Sequence, residues 1–572
     1  MFTSSFTNFL YIAGTLLLLG SCLNENSDAL NKDPVLSDTS NPISGGVLEL
    51  VEKEFYRSIF PYSIEENIGS KITSQLHNGL LKMNPKSLAI EPNIAKSWDV
   101  NDEQTEYTFH LRNDVRFHKD SCFSSDEESF MTANDVVFSI ELMCGKFYNS
   151  GYNLLMKNLI GAEAFYNNKC DSISGVEVVN DSTIIFKLSA PAPTIIYLLA
   201  SSKASIISEI AYKAYGHDLH VGNGPFTFLE VSTDSTEISL GKNENYFRTS
   251  NNGEKLPYLD GLHIKIVENE NERADLFLNN ESMVLFDITE NKVESLFESY
   301  HSSFDDGIFV VDRKPVMATD CYEFNLSRSP FNDINVRKAF AHAINKNKLI
   351  DNVLNGQGRI GNKGIVPVVS TLKNYNFDTI QGYDYNPELA KEYLTKAGYP
   401  NGIGFPEVVL ELTFGQPLHE SVAKEVQNQL NNTLNISITI EEEKLSTLID
   451  RAAHGKSQMN HFTWLGEYPS PMDFLNVFYG GVDLENDSSY SWPNTTRYRN
   501  KEYDAILEKA LITSDKENRF LLYEEAESIL MNDIPVIILW YPEEYNIING
   551  NVHNLFFNEI LHFDFSCVYL SS

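Results

Sequence analysis

A short segment near the C-terminus combines one acidic side chain with two aromatic side chains. Residues 464–476 read WLGEYPSPMDFLN and place Glu467 between Trp464 and Tyr468. A carboxylate beside aromatic faces can receive a cation such as a ligand's ammonium group, because ion pairing and cation–π attraction act in the same direction. The alternative is that Glu467 is one more solvated acid of a very acidic chain, and the local sequence alone favours that interpretation.

The same segment carries the signals of a helix start just after Glu467. Ser470 suits an N-cap, Pro471 suits the first helical position, and Asp473 would be the third helical residue. Short polar side chains favour N-caps because they accept hydrogen bonds from the free N–H groups of the first turn. The sequence therefore places Glu467 on a loop that leads into a helix.

The motifs that would indicate an enzyme or a bound cofactor are missing. The chain has no G-x-S-x-G and no H-E-x-x-H, and its 13 histidines lack the spacing of metal ligands. Residues 356–361 read GQGRIG, but they follow a helical segment and precede IVPVV, whereas a dinucleotide loop joins a strand to a helix. Asn362 excludes a phosphate loop ending in G-K-[S/T]. We therefore predict no catalytic residue, no cofactor and no metal site.

Length and charge limit the class of protein. At 572 residues the chain is several times longer than a usual domain of about 100 to 200 residues, which predicts two or more lobes. It carries 44 Lys and Arg against 79 Asp and Glu, a net charge of −35. Such a charge disfavours nucleic acid and anionic lipid surfaces, so no nucleic-acid partner is expected.

The N-terminus resembles a bacterial lipoprotein signal. An apolar run over residues 9–19 leads into Leu19-Gly20-Ser21-Cys22 and is shorter than the roughly 20 residues that span a bilayer. We predict a signal peptide over residues 1–22, lipidation of Cys22, and a flexible polar tether over residues 23–44. Residues 1–8 contain no Lys or Arg, unlike the usual signal peptide, and the alternative is an uncleaved N-terminus with an incidental cysteine.

The cysteines after Cys22 form an odd set. They are Cys122, Cys144, Cys170, Cys321 and Cys567. An oxidising compartment allows a disulfide, and we expect it among the three cysteines between residues 122 and 170, with at least one thiol left unpaired.

Strand patterns alternate with capped helices from residue 45 onward, which predicts an α/β architecture. Strands are expected at residues 105–112, in a hairpin over 176–188 that turns at 180–181, and at 262–268, 408–414, 436–441 and 535–541. Helix starts are expected at Thr132 with Asp135, at Asp333, at Asn386-Pro387 and at Ser514 with Glu517. Gly398 would end the third of these helices.

Three long stretches resemble the family-5 extracellular solute-binding proteins, the peptide-binding components of bacterial ABC importers. The first contains EPNIAKSWDVNDEQTEYTFHLRNDVRFH at 91–118 and TANDVVFSIE at 132–141. The second contains GNGPFTF at 222–228 and LPYLDGLHIKI at 256–266. The third extends from CYEFN at 321–325 through WLGEYPSPMDFLN to TTRYRNKEYDAILEKA at 495–510.

The resemblance implies a two-lobed type II periplasmic-binding fold with an extra subdomain inserted in the first lobe. The first lobe would cover residues 45–286 with the insertion at about 85–190, the second lobe 287–534, and residues 535–572 would return to the first lobe. Two hinge crossings would then lie near 286–287 and near 535.

In peptide-binding members of this family, an acid at the fourth position of a W-x-x-D-Y segment accepts the peptide's α-ammonium. The matching residue is Glu467, with Trp464, Leu465 and Tyr468 lining the same pocket. Glu replaces the usual Asp, which moves the carboxylate by roughly one bond and alters the geometry around the ammonium. Asn223 also stands where the family often has Thr.

The resemblance implies a monomeric receptor, held by lipid on Cys22 at the periplasmic side of the inner or outer membrane, that captures short peptides for ABC permease subunits. One alternative is the same scaffold binding another small solute, such as a nickel chelate, a saccharide, haem or a signalling peptide. A hydrolase on this scaffold is a remote alternative, because no nucleophile or metal set is recognisable.

Overall fold

The computed structural model describes residues 42–64, 66–146, 158–481 and 486–571. The predicted signal peptide, Cys22 and most of the predicted tether lie outside these residues. Among the helices of the described ranges, none combines the length and the apolar character needed to cross a membrane.

Short strands make up the sheets of the molecule. The first eleven are β1 (Val47–Glu52), β2 (Leu81–Met83), β3 (Ile90–Pro92), β4 (Ala95–Val100), β5 (Glu106–Leu111), β6 (Val176–Asn180), β7 (Thr183–Lys187), β8 (Phe226–Val231), β9 (Glu237–Lys242), β10 (Gly261–Ile266) and β11 (Val284–Leu285). The others are β12 (Phe309–Pro315), β13 (Ala318–Phe324), β14 (Arg359–Ile360), β15 (Val408–Thr413), β16 (Ile438–Glu443), β17 (Met459–Leu465), β18 (Val536–Tyr541), β19 (Glu543–Asn549), β20 (Val552–His553) and β21 (Tyr569–Leu570).

Helices alternate with these strands. The first eight are α1 (Asn67–Leu76), α2 (Ala133–Cys144), α3 (Ala162–Tyr166), α4 (Ile195–Leu198), α5 (Glu209–Tyr215), α6 (Glu270–Leu278), α7 (Glu290–Ser299) and α8 (His301–Asp305). The others are α9 (Ile334–Ala343), α10 (Lys346–Asn352), α11 (Pro387–Lys396), α12 (Pro417–Leu434), α13 (Leu445–Ala453), α14 (Met472–Leu475), α15 (Lys501–Leu511) and α16 (Lys516–Asp533).

Three sheets organise the fold. The first has seven strands in the order β12-β19-β11-β1-β10-β9-β8, and the second has six in the order β14-β18-β13-β17-β15-β16. A third sheet, β4-β5-β7-β6, is formed inside the range expected for the inserted subdomain. Separate apolar clusters pack against the first and third sheets, and two clusters cover the opposite faces of the second. Each sheet therefore has its own core.

The chain passes between the two large sheets twice. It leaves the first sheet after Pro315, at the end of β12, and returns to it at Glu543, the first residue of β19. Both passages lie later in the chain than the crossings expected near 286–287 and 535. The reason is that β12 pairs antiparallel with β19 along its whole length, which keeps both strands in the first sheet.

The predicted strands all form, with ends shifted by at most a few residues. The hairpin at 176–188 is β6 and β7, joined at the expected turn. Asp135 accepts hydrogen bonds from the N–H and hydroxyl of Thr132, and Asp333 and Asn386 accept from helix N–H groups as predicted. These elements form where the local sequence indicates because their signals are contained within a few residues.

Two helix starts differ from prediction. The cap of α16 is Asp515 rather than Ser514, since the Asp515 side chain accepts from Asn518 N–H at 2.8 Å. Helix α14 begins at Met472 rather than Pro471, and it has only four residues. Asp473 is the second residue of that helix, and its side chain accepts a hydrogen bond from Glu467 N–H of the preceding loop.

The expected disulfide among Cys122, Cys144 and Cys170 does not form, because all the cysteines from 122 onward are free. Cys144 is buried in the apolar cluster beside the third sheet. The exposed Cys170 thiol instead donates to the carbonyl of Ser172 at 3.2 Å.

A buried carboxyl group ties helix α16 to the segment before α11. Glu527 is fully buried and accepts hydrogen bonds from Val366 N–H at 2.7 Å and from the Tyr375 hydroxyl. Burial raises the pKa of Glu527 from 4.5 to about 7. The folded protein therefore holds a proton on Glu527 over a pH range in which the unfolded chain has lost it.

We predict that Glu527→Gln changes how stability depends on pH. Between about pH 4.5 and 7 the wild type loses stability as pH rises, because the unfolded chain ionises Glu527 first. The variant lacks this loss, so its melting temperature relative to wild type should rise across that window in calorimetry. Glu525→Gln, at an exposed position of the same helix, is the control and should show no such trend. A constant difference between E527Q and wild type would contradict the prediction.

Candidate functional site

The carboxyl ends of four strands of the second sheet lie at one edge of that sheet. β15, β16, β17 and β18 share one direction, since β15 is parallel to β16 and β17, while β13 is antiparallel to both β17 and β18. Ligands of open α/β sheets bind outside the carboxyl ends of such strands. Glu467 follows the carboxyl end of β17 by two residues, which places it at this edge.

Glu467 is engaged by an ammonium group from the other half of the molecule. Its Oε1 accepts a hydrogen bond from Lys203 Nζ at 2.6 Å. Lys203 lies on a short 3-10 helix, Ser202–Ala204, in the part of the chain between β7 and β8. The two side chains are 32% and 33% exposed, so the pair is open to water. The carboxylate is therefore paired with a cation of the same chain. That it receives a ligand's ammonium stays a prediction.

A second contact joins the same two parts of the chain. The ring of Tyr468 stacks on Tyr197 of α4, with centroids 5.4 Å apart and planes 20° from parallel. Burial raises the pKa of both tyrosines, so both rings carry their hydroxyl protons at neutral pH. Tyr468 and Glu467 thus meet neighbouring residues of one short segment, 197–203.

Asp473 fixes the backbone of the loop that carries Glu467. Its Oδ2 accepts from Glu467 N–H at 2.6 Å and from Tyr468 N–H at 3.4 Å. Burial and the charge of Glu467 raise the pKa of Asp473 to about 8. A largely neutral carboxyl group can hold the loop without adding a second full negative charge beside Glu467.

Trp464 is positioned by a different buried acid. Its indole N–H donates to Glu323 Oε1 at 2.7 Å, and the Thr495 hydroxyl donates to the other oxygen of Glu323. Burial raises the pKa of Glu323 to about 7. The Trp464 ring also lies 5.7 Å from the ring of Trp492, which fixes its orientation.

The four predicted site residues are therefore not equivalent. Glu467 and Tyr468 contact the first half of the chain, whereas Trp464 is held within the second. Leu465 is 46% exposed at the end of β17 and offers apolar surface beside them. Sequence reasoning missed Lys203, Tyr197 and Asp473. The first two are distant in sequence from Glu467. Asp473 was correctly placed in a helix, but its hydrogen bonds to the loop of Glu467 were not predicted.

A second polar cluster lies at the same edge, formed by Asp320 of β13, His419 of α12 and His461 of β17. Nε2 of His461 lies 2.8 Å from Asp320 Oδ1, and Nε2 of His419 lies 3.4 Å from the same oxygen. This donor set has the ligand types that hold transition metals. The spacing of residues along the chain could not predict it, because its members come from three separate elements.

The two large sheets have separate cores, and the Lys203–Glu467 pair joins the two parts of the chain at the carboxyl ends of the strands of the second sheet. This architecture is typical of two-lobed binding proteins. The profile of the bacterial extracellular solute-binding proteins, family 5 (middle region), matches residues 89–486. The match covers well over half of the sequence, and the chain belongs to this family. The family places the protein outside the cytoplasm.

The chain is also similar to individual binding proteins over most of its length. It is 27% identical to heme-binding protein A of Haemophilus influenzae over 550 residues, covering 94% of this chain and 93% of that protein. It is 27% identical to di/tripeptide-binding protein 2 of Pseudomonas aeruginosa over 510 residues, covering 86% and 89%. These relatives are binding proteins rather than enzymes.

A solved structure shows the same fold. The periplasmic binding protein DppA of Helicobacter pylori, in complex with the peptide STSA, superposes with a TM-score of 0.74 at 25% identity. The match covers 93% of this chain and 99% of that one. The two-lobed type II fold predicted from the sequence is thereby confirmed.

We predict that Trp464→Phe destabilises the protein by about 1–3 kcal/mol, because Glu323 loses the indole donor while it stays buried. Urea unfolding followed by circular dichroism measures the change. Trp492→Phe is the matched control, since that ring is 37% exposed, and it should cost less. Equal losses in the two variants would show that ring packing, rather than the hydrogen bond to Glu323, determines the effect.

Proposed function

We propose that this protein is a lipid-anchored receptor that captures short peptides between two lobes and delivers them to an ABC permease. The lobes would be built on the first and second sheets, with the third sheet as the inserted subdomain. Lipid on Cys22 would hold a monomer at the periplasmic side of the membrane, and the ligand would be released unchanged. The family and the di/tripeptide-binding relative support this proposal.

The observation that carries the proposal is the ammonium of Lys203 on Glu467. A lysine side chain ends in the same chemical group as the N-terminus of a peptide, and its Nζ lies 2.6 Å from the carboxylate. The site therefore has the charge and geometry to receive a primary ammonium. We propose that a peptide's α-ammonium replaces Lys203 at Glu467.

The surroundings of Glu467 suit the residues next to that ammonium. Tyr468 and Leu465 would provide aromatic and apolar surface, and Trp464 would line the same pocket from its fixed position against Glu323. The longer Glu side chain, in place of the family's usual Asp, would move the ammonium outward by roughly one bond length.

Contacts to both halves of the chain provide a reason for closure. Glu467 and Tyr468 belong to the second half, while Lys203 and Tyr197 belong to the first. A ligand that contacts both sides stabilises the closed arrangement by its differential affinity for that state. The permease would then meet a closed, loaded receptor.

We predict that short peptides with a free N-terminal amine bind, whereas N-acetylated copies bind at least tenfold more weakly, because acetylation removes the charge that Glu467 receives. Glu467→Gln should remove this preference. Calorimetric titration and melting temperature with each peptide measure both effects, since a ligand of the native state raises the melting temperature.

Glu392→Gln is the matched control, because Glu392 also pairs with a lysine, Lys396, on an exposed helix surface. This variant should bind the free and the acetylated peptide with the same affinities as the wild type. Equal binding of free and acetylated peptides to the wild type would exclude Glu467 as the ammonium receptor.

We predict that Lys203→Met strengthens the binding of amine-bearing peptides by up to about fivefold, because the ligand no longer displaces an internal ammonium worth about 0–1 kcal/mol. The same titration measures the change, and Lys396→Met is the control at a surface pair. Weaker binding in K203M would show that Lys203 assists the ligand rather than competing with it.

Haem is a second candidate ligand, since a relative similar over 94% of this chain is a heme-binding protein. The absorption spectrum of the purified protein titrated with hemin distinguishes the two. A saturable Soret shift, together with no response to peptides, would favour haem.

A further inference from the structure

Three side chains from three rigid elements converge at the strand edge described above. Asp320 lies near the start of β13, His461 lies in β17, and His419 is the third residue of helix α12. Asp320 faces Thr463 of the neighbouring strand, two residues beyond His461. Groups fixed on strands and on the first turn of a long helix hold their positions better than groups on loops.

The two imidazoles approach one carboxylate oxygen. His461 Nε2 lies 2.8 Å and His419 Nε2 3.4 Å from Asp320 Oδ1, and a potential ligand atom from each residue lies within 4.8 Å of the others. The centroids of the two imidazole rings are 4.2 Å apart. Metal–ligand bonds of about 2.0–2.2 Å separate neighbouring ligand atoms by about 3–3.5 Å. Small side-chain rotations therefore bring the three atoms to a common distance from one ion.

The cluster is buried yet reachable. Asp320 is 2% and His461 3% exposed, so the carboxylate lies almost entirely out of water. Its close polar neighbours include the two imidazoles and the Thr463 hydroxyl, which donates to Oδ1 at 2.8 Å. His419 is only partly covered and Thr463 is exposed, which leaves a path from solvent. A bound cation would offset the free-energy cost of burying this carboxylate.

We propose that Asp320 Oδ1, His419 Nε2 and His461 Nε2 form a binding site for one divalent transition-metal ion of the zinc or nickel class. Two neutral imidazoles and one carboxylate suit these ions, whereas calcium and magnesium prefer oxygen ligands alone. Three protein ligands leave at least one coordination position free. Water or a donor atom of a bound solute would fill it, which extends the ligand range of this edge to metal-bearing solutes.

The test is a calorimetric titration of the purified protein with Ni²⁺ and with Zn²⁺, without peptide and with excess Mg²⁺ to fill weak acidic sites. We expect one saturable site, with affinity reduced at least tenfold in Asp320→Asn, His419→Ala and His461→Ala. His301→Ala is the matched control, because His301 pairs with Asp305 on an exposed helix. It should bind as the wild type does.

A spectroscopic measurement keeps the result decisive if a variant folds poorly. One equivalent of Cu²⁺ in the wild type should give an electron paramagnetic resonance spectrum with splitting from two imidazole nitrogens. His419→Ala, at the partly exposed position, should reduce it to one. The absence of a saturable site in the wild type, or a spectrum unchanged in H419A, would overturn the proposal and leave the cluster as a hydrogen-bonded triad.

The metal-site proposal and the ammonium-site proposal can be tested separately. Glu467→Gln should leave metal affinity unchanged, since Glu467 is not among the three ligands. His301→Ala should alter neither. A loss of metal binding in E467Q would place the ion away from the three proposed ligands and overturn the metal-site proposal, whatever the outcome of the peptide titrations.

Discussion

The pair between Lys203 and Glu467 is the interaction on which the site depends. It joins residues 264 positions apart in sequence and belongs to both halves of the molecule. Because both side chains are about one third exposed, such a pair contributes only about 0–1 kcal/mol. That small value suits a binding protein. Under the proposed function, the internal ammonium would neutralise the carboxylate when no ligand is present, and a ligand ammonium would replace it at little cost.

Two buried carboxyl groups with raised pKa values hold residues beside this pair. Asp473 holds the loop of Glu467, and Glu323 holds Trp464, and burial raises the pKa of each to about 8 and about 7. A full charge on Asp473 would repel Glu467. With a pKa of about 8, Asp473 is largely protonated at neutral pH, keeps its hydrogen bond to the loop and leaves Glu467 as the carboxylate that is paired with a cation. The strongly acidic composition is therefore compatible with a selective site.

Local sequence signals predicted the elements well and the site incompletely. The β6–β7 hairpin and the Asn386 cap formed as expected, because turn and cap chemistry acts within a few residues. The hydrogen bond from Glu467 N–H to the Asp473 side chain was not predicted, because helix signals in the sequence do not reveal which loop a side chain will contact. Lys203 and Tyr197 escaped prediction because only the fold brings them to Glu467. The family resemblance made Glu467 the candidate ligand contact, whereas composition alone would have left it as a surface acid, and its role in ligand binding stays a prediction.

Strand β17 belongs to both candidate sites. His461 lies in the strand, and Glu467 lies on the loop that leaves its carboxyl end. The four steps from His461 to Leu465 span roughly 13 Å at the usual rise of a strand. Strand β13 pairs with β17 along its whole length and β15 pairs with its first two residues, so the backbone of β17 cannot shift without breaking these ladders. An ion at His461 would therefore leave the geometry at Glu467 unchanged and act on ligand choice only by direct contact.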